Sequence, residues 1–470
     1  MVQRPTSSKA DVILVGAGLS GAAFVAHLLR DHPDLQGDVV VIEPAERLGA
    51  GLAYGTADPA HRTNVTAGRM SLFPDRPDHF IDWLSGTSEA AQDPDAVTSD
   101  GRRHVRRNLF GTYVDDAVRT QIAGSAVIVR HRRERASSAA PSPGGGWQVT
   151  LETGDTVSAP LLVLGVSHTA PDLPAFLHGL EADPRVVRDP WERTALEAIG
   201  PDDAVLVVGT GLTGCDVITS LRARGHRGSI LALSRRGLLP RPRTWLPVSA
   251  SGDFATDPEA TALGLLRRVR QQVAQIAALG EPWEGVVDAI RSQARTIWKA
   301  LPVVERRRLL RHLRPFWDVH RFQCAPQIEA VLADGQRSGW LTVTAAMPLD
   351  AEADTDAITV RFRRRGRSAI EQVRIAAVVN CTGPGHRSVV SAHPLLRSLA
   401  DAGALRADSC RLGIDVDETS RVIAVDGEAW PSLFVVGPLA RGTHGELMGL
   451  PQVTTQPREV AALVATLMPA

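Results

Sequence analysis

Lysine is nearly missing from this chain. Lys9 and Lys299 are the only two in 470 residues, so almost all of the positive charge is arginine. A skew that general points to coding bias, and an arginine cluster with no motif around it carries no functional weight. Net charge is missing too. The 52 basic and 52 acidic residues cancel, which argues against nucleic acid or an anionic membrane as the main partner. The four cysteines, Cys215, Cys324, Cys381 and Cys410, stand far apart with no C-x-x-C among them. That excludes a local redox dithiol or a zinc knuckle and leaves small buried thiols, with no metal site expected. No apolar run is long enough to span a bilayer, and MVQRPTSSKAD enters the first strand without a signal pattern. A cytoplasmic protein without membrane segments is expected. With 44% hydrophobic and 22% charged residues the chain is globular, and its length suggests roughly two to four units.

Residues 10–43 read as strand, glycine turn, helix, strand. Val12–Val15 is an apolar run without alternation, as in a buried parallel strand. Gly16, Gly18 and Gly21 follow as G-x-G-x-x-G. The first glycine allows a sharp turn, the second lets backbone approach a pyrophosphate, and the third lets helix and strand pack closely. A helix starting near Leu19 would aim its N-terminal amides at the phosphates. A second strand, Val39–Ile42, ends at Glu43, twenty-two residues past Gly21, where an acid accepts hydrogen bonds from an adenosine ribose. The predicted ligand is a dinucleotide.

A long loop follows, rich in Gly, Pro and Asp, and its NVTAGRMS segment offers Asn64, Thr66 and Ser71 to the ring end of such a ligand. The plainer alternative is that these groups satisfy the loop's own backbone. Residues 86–103 read as an exposed polar insertion, and Leu109–Ala123 as a helix. Strands are expected at Ala126–Arg130 and Trp147–Leu151, flanking SSAAPSPGGG as a flexible loop, and at Leu161–Leu164.

A second unit starts at Asp203. Gly209, Gly211 and Gly214 repeat the fingerprint between strand Val205–Val208 and a helix from Leu212. The next strand, Ile230–Leu233, ends in Ser234, Arg235 and Arg236 where an NAD site would carry an acid. A serine and two arginines suit the 2′-phosphate of NADPH. Residues 257–334 then leave the βα alternation for a helical insertion packed on the second unit. It closes in RPFWDVHRFQCAP, where Arg321 could grip a carboxylate and His320 shuttle a proton, unless both are tied to carbonyls. Strands are expected again at Leu341–Ala345, Ile358–Arg364 and Val373–Val379, the last running into NCTGPGHR. A strand, a Gly-rich turn and a helix close the chain.

Two G-x-G-x-x-G units, each beside a strand running into a turn (VLGVSH at 163–168, VVNCTGPG at 378–385), match the layout of two-dinucleotide-binding-domain flavoproteins. The strings AGLAYGT, NVTAGRMS, SRRGLLPRPR, WDVHRFQCAP and GPLARGT make the chain resemble more narrowly the FAD/NAD(P)-binding oxidoreductases. These are related to the flavin-containing, Baeyer–Villiger and N-hydroxylating monooxygenases. The resemblance implies an α/β fold of two Rossmann-like domains with a helical insertion. A first FAD-binding part would cover 1–200, an NADPH-binding domain 201–345, and an FAD-binding return 346–470. It implies FAD on Gly16, Gly18, Gly21 and Glu43, with Asn64, Gly383 and Gly437 nearby, and NADPH on Gly209, Gly211, Gly214, Ser234, Arg235 and Arg236. Two departures stand out. Gly437 precedes Pro438 where such flavoproteins often carry Gly-Asp, and no Phe-x-Gly-aromatic signature occurs. The implied activity is NADPH-consuming monooxygenation through a C4a-peroxyflavin, with O2 and a small-molecule amine or amino acid. Arg321 and Arg441 are candidates for a substrate carboxylate, and Asn64 and His320 for a catalytic role. A flavin reductase without oxygenation, or an NADPH-sensing regulator without turnover, are the alternatives.

Overall fold

The computed structural model describes residues 6–244, 246 and 248–468. Three sheets organise them. The first has six strands in the order Arg421–Ile423, Ala429–Val435, Leu161–Leu164, Val12–Val15, Asp38–Ile42 and Ile128–Arg132. All neighbours run parallel except the first pair. The second has seven, in the order Ile370–Ile375, Ile358–Arg364, Leu341–Ala353, Ile230–Ser234, Val205–Val208, Ala377–Asn380 and Val186–Val187. A four-stranded sheet, Ser7–Lys9, Thr156–Ala159, Trp147–Leu151 and Ala136–Pro141, covers one face of the first unit.

The unbroken apolar runs are explained by burial on both faces. Val12 and Leu14 enter one core with Phe24, Leu28 and Phe434, while Ile13 and Val15 enter another with Trp147, Val149 and Leu162. Val205 and Val207 likewise face a different core from Leu206 and Val208. Successive strand side chains point to opposite faces, so a strand buried on both has no room for polar alternation.

Several expectations are corrected. The serine- and proline-rich stretch expected as a flexible loop contains a strand, Ala136–Pro141, paired antiparallel with Trp147–Leu151. The expected strand Val373–Val379 is two. Ile370–Ile375 ends an antiparallel meander, and after Ala376 the chain resumes as Ala377–Asn380, parallel to Val205–Val208. The second sheet therefore holds the chain through Asn380 rather than releasing it at 346, and it also recruits Val186–Val187 from the segment before 200. Residues 86–103 are not simply exposed, since Asp93 is buried against Arg62 at 2.9 Å.

The insertion comprises Ala262–Ala278, Glu284–Ser292, Ala294–Ala300, Val303–His312, Arg314–Arg321 and Pro326–Ser338. It has a small core of its own around Phe254, Leu265, Val286 and Ile297. Its last helix packs on the second unit, against Leu212–Ala223 and Leu341–Ala353, and Arg314–Arg321 touches that unit through Phe316, under Arg236, and through the Val319 carbonyl, which accepts from Arg241 N–H at 2.8 Å. The rest leans on the returning part of the first unit. Trp298 Nε1 donates to the Gly442 carbonyl at 2.8 Å, Arg291 to that of Leu450 at 2.9 Å, and Arg321 pairs with Glu446 at 2.9 Å. The insertion thus meets the second unit through its last two helices, and the returning first unit through the others and through Arg321.

The units also meet directly. Arg107, on the helix Arg107–Ala123, is buried against Asp216 of the second unit's helix at 2.8 Å. The two chain crossings between units lie side by side, with Thr169 bridged to Gly385 and the rings of His168 and His386 4.3 Å apart. In the first unit His104, 1% exposed, donates from Nδ1 to the Thr63 carbonyl at 3.0 Å.

Burial holds His104 uncharged and lowers its pKa from 6.5 to about 4. Between those values the unfolded chain binds a proton that the folded chain refuses, so stability is full above pH 6.5 and is lost as pH falls towards 4. The loss from this residue should reach at most about 3 kcal/mol. Urea unfolding at stepped pH should show this slope, and His104→Gln, which can still donate to Thr63, should flatten it.

Candidate functional site

At the first helix mouth the three glycines are required for different reasons. Gly16 has φ +87°, a region that a β-carbon disfavours, and a β-carbon on it would lie 2.7 Å from the Gly165 carbonyl oxygen. On Gly21 it would lie 2.2 Å from the Gly16 carbonyl oxygen, so the helix Leu19–Asp31 is pressed onto its own turn. Gly18 meets only the Gly51 Cα, at 3.6 Å. Glu43 is anchored to the same turn. Its Oε2 accepts from Ala17 N–H at 2.9 Å and its Oε1 from Ala45 N–H at 3.0 Å, and each oxygen keeps a lone pair. The returning chain closes the mouth. Gly437, at φ +89°, donates to Gln456 Oε1 at 2.9 Å, and a β-carbon there would strike Ser20 Oγ at 2.5 Å.

The second mouth repeats this arrangement. Gly209 has φ +110°, and a β-carbon on it would lie 2.2 Å from the Cys381 carbonyl oxygen. On Gly214 it would lie 2.2 Å from the Gly209 carbonyl oxygen, whereas on Gly211 it would meet nothing within 4 Å. Close packing thus demands two of the three glycines, and open space lies over the third, at the start of the helix Leu212–Ala223. Gly383, at φ +88°, also faces open space in the turn that follows Ala377–Asn380. Both mouths fit a pyrophosphate approached by backbone.

Beyond the second turn the side chains differ. The Thr210 hydroxyl lies 2.8 Å from Ser234 Oγ and 2.5 Å from the Leu238 carbonyl oxygen. A carbonyl only accepts, so Thr210 gives its proton to Leu238 and Ser234 gives its own to Thr210. Ser234 Oγ also accepts from Gly237 N–H at 2.9 Å. The serine therefore shapes the turn, and its hydroxyl is not free to donate to a phosphate as expected. Arg235 is exposed, and the Arg236 guanidinium lies 4.7 Å over the Phe316 ring.

Phe316 and His320 share one side of the helix Arg314–Arg321. His320 donates from Nδ1 to the Phe316 carbonyl at 2.7 Å, which leaves Nε2 as the ring's acceptor, and it packs edge-on against Trp283 at 4.9 Å. Beside them is a cavity of about 510 Å³ whose wall includes Arg241, Arg243, Trp283, Glu284 and His320. The Asn64 carbonyl accepts from Arg243 Nε at 2.7 Å. Burial, with Arg69 nearby, lowers the Arg243 pKa to about 10.

The opposite side of that helix holds Arg314, Asp318 and Arg321. Arg321 is buried and committed to Glu446. Arg441 is 5% exposed, its Nη1 contacts Met448 Sδ at 2.9 Å, and its Nε and Nη2 are sealed without a partner. Burial, with Arg314 nearby, lowers its pKa to about 10. Neither arginine, expected to grip a carboxylate, is presented to open space. Trp283, Glu284, Arg241 and Arg243 went unnoticed in the sequence because no motif surrounds the first pair and the general arginine excess masks the second. A second cavity, of about 650 Å³, lies away from both mouths on the first unit, beside Arg76, His79 and Asp116. Among the described residues no group of His, Cys, Asp and Glu could hold a metal, and no helix is long and apolar enough to cross a membrane.

Residues 13–169, about a third of the chain, match the family described as FAD-NAD(P)-binding. No curated protein matches. Among solved structures, the reduced ornithine hydroxylase of Pseudomonas aeruginosa aligns with a TM-score of 0.64 and 16% identity, over 97% of this chain and 99% of that one. The ornithine N-hydroxylase of Kutzneria sp. 744, with reduced FAD, NADP+ and L-ornithine, aligns at 0.63 and 16%, over 98% and 100%. The FAD-bound cadaverine monooxygenase of Erwinia amylovora aligns at 0.64 and 12%, over 98% and 96%. The fold is that of the two-dinucleotide-binding flavoproteins, as the paired glycine units implied.

Gly209→Ala should cost about 3 kcal/mol or more, because the left-handed backbone and the Cys381 carbonyl leave no room for a methyl group. Gly211→Val should leave the melting temperature nearly unchanged yet abolish measurable NADPH binding. Calorimetric unfolding and titration of the two variants separate a glycine needed for packing from one needed for a ligand.

Proposed function

We propose that this protein is an FAD-dependent, NADPH-consuming monooxygenase that hydroxylates the nitrogen of a small amine or amino acid. The observation that carries this reading is the pair of glycine mouths with chemically opposite ends, Glu43 at one and Arg235 with Arg236 at the other, in a fold shared with N-hydroxylating enzymes. A ribose with free hydroxyls suits the first and a 2′-phosphate the second. Bound together, FAD and NADPH supply hydride transfer to flavin and the activation of O2 by the reduced flavin.

The chain's own work is placement. The amides around Gly16, Gly18 and Gly21 hold one pyrophosphate, and those around Gly209, Gly211 and Gly214 the other. Arg235 reaches the 2′-phosphate from solvent. Arg236 can do so while keeping its ring contact with Phe316, which links cofactor binding to the helix Arg314–Arg321. A substrate amine must lose its proton to attack an electrophilic oxygen, and His320 Nε2 is an acceptor beside the 510 Å³ cavity that can take it. The carboxylate role moves from Arg321 and Arg441 to arginines that line open space.

Purified protein should carry flavin that NADPH bleaches anaerobically faster than NADH does. In air, a panel of amines and amino acids should yield a hydroxylated nitrogen detectable by mass. Peroxide release with no hydroxylated product across the panel would count against the reading. Arg235→Ala should weaken NADPH about tenfold and leave NADH unchanged.

A further inference from the structure

The string AGLAYGT, residues 50–56, belongs to neither glycine turn, yet the chain there runs from one mouth towards the other. At its start Gly49 donates its N–H to the Ala17 carbonyl at 2.7 Å, and the Gly51 Cα stands 3.6 Å from where a β-carbon on Gly18 would lie. Next the Tyr54 ring packs on Phe110 of the helix Arg107–Ala123, with centroids 4.7 Å apart. Residues 58–62 then meet the helix Leu212–Ala223, whose N-terminus forms the second mouth. Three side chains of that helix reach across. Asp216, 2% exposed, accepts from Arg107 Nη2 at 2.9 Å. Ser220 is fully buried, and its Oγ lies 3.1 Å from His61 Nε2. Arg224 reaches Asp58 at 3.4 Å. Arg107 is knit to the same loop, its N–H donating to the His61 carbonyl at 2.9 Å and its Nε to that of Arg62 at 2.8 Å.

Residues 216, 220 and 224 stand four apart, so they form one stripe along the helix. Val217, Ile218 and Leu221 enter the second unit's own core, whereas each member of the stripe is paired in the first unit. The outermost pair involves an exposed arginine and contributes little. The two inner contacts are enclosed, and a buried polar group is held to the partner that satisfies it.

Each mouth is built inside its own unit, one by Gly16 and Gly21 and the other by Gly209 and Gly214, so the stripe is not needed to bind a pyrophosphate. What neither unit fixes alone is where the mouths stand relative to each other. Hydride transfer moves two electrons and a proton together from nicotinamide to flavin, leaving NADP+ and reduced flavin. It depends steeply on placement, and a shift of about 1 Å can cost about 100-fold in rate.

We propose that Arg107, Asp216, His61 and Ser220 are positioning residues for hydride transfer. Together with the loop of residues 50–62 they hold the second cofactor helix in a set relation to the first mouth. This rests on the reading that FAD and NADPH occupy the two mouths.

The test mixes the FAD-loaded full chain anaerobically with NADPH in a stopped-flow instrument, which separates the limiting rate of flavin bleaching from NADPH affinity. His61→Ala should slow the limiting rate about tenfold and weaken the long-wavelength absorbance of a nicotinamide lying against flavin. NADPH affinity, flavin retention and melting temperature should stay as in the wild type. His61→Gln, whose amide reaches the position of Nε2, should restore both rate and absorbance. Asp216→Ala should slow the rate further, about 100-fold, and if it does not fold the two His61 variants decide. An unaltered rate and absorbance in His61→Ala, an equal loss in His61→Gln, or a loss of NADPH affinity in place of rate would each overturn the proposal. Wild-type flavin that NADPH leaves unbleached would refute the two-cofactor reading and this proposal with it. A wild type that bleaches beside variants that bleach equally fast would refute the positioning role alone.

Discussion

Each candidate cofactor mouth depends on how closely a helix is pressed onto the turn before it. A β-carbon on Gly21 would stand 2.2 Å from the Gly16 carbonyl oxygen, and one on Gly214 the same distance from that of Gly209. Any side chain at either position would lift the helix, and the amides at its start would no longer converge on one point. The compression continues one strand over, where Gly16 abuts Gly165 and Gly209 abuts Cys381. The adjacent strands run parallel in matching register, Val15 beside Leu164 and Val208 beside Asn380. The turn contact thus helps set which strand is the neighbour as well as where a ligand would lie.

That repetition is why the architecture was legible. Apolar strands without alternation, glycines at fixed offsets and the residue closing the second strand are local features, readable without knowing the fold. The fate of residues 341–380 was not local. The run Val373–Val379 is uniformly strand-like, and nothing in it announces that the chain turns at Ala376 from the end of a meander into the parallel sheet. Ala136–Pro141 hid for the opposite reason. Its serines and alanines resemble linker, yet Trp147 and Val149 across the ladder supply the burial that the stretch lacks.

The insertion shows how a contact across many residues decides what composition cannot. It is rich in arginine, and composition alone does not say where those arginines bind. Arg307 closes on the carbonyl of Ser409 and Arg291 on that of Leu450, both in the returning chain, while the Trp298 indole reaches Gly442. The last two of these bonds tie the segment after Gly437 to the insertion. The helix Arg314–Arg321 therefore has Arg236 stacked on one side and the Arg321–Glu446 pair on the other. A change at either candidate cofactor site has a short path of packed groups to the other.

Which arginines can meet a ligand is settled by what already surrounds them. Arg321 has its carboxylate in Glu446 and its Nη2 is shut in beside Gly449, so a ligand acid would have to open that packing or displace Glu446, and displacing it would leave a buried carboxylate unpaired at a cost of about 3–5 kcal/mol. Among the described residues Arg441 has no acid paired to it, yet its guanidinium is enclosed, and reaching it would mean opening the packing around Met448. Arg241 and Arg243 carry neither cost, because one is exposed and the other already borders a void. Glu446 and Asp216 are spent in the same way, each holding a buried arginine. Position in the charge network, more than residue type or spacing, is what distinguishes a binding group from a structural one in this chain.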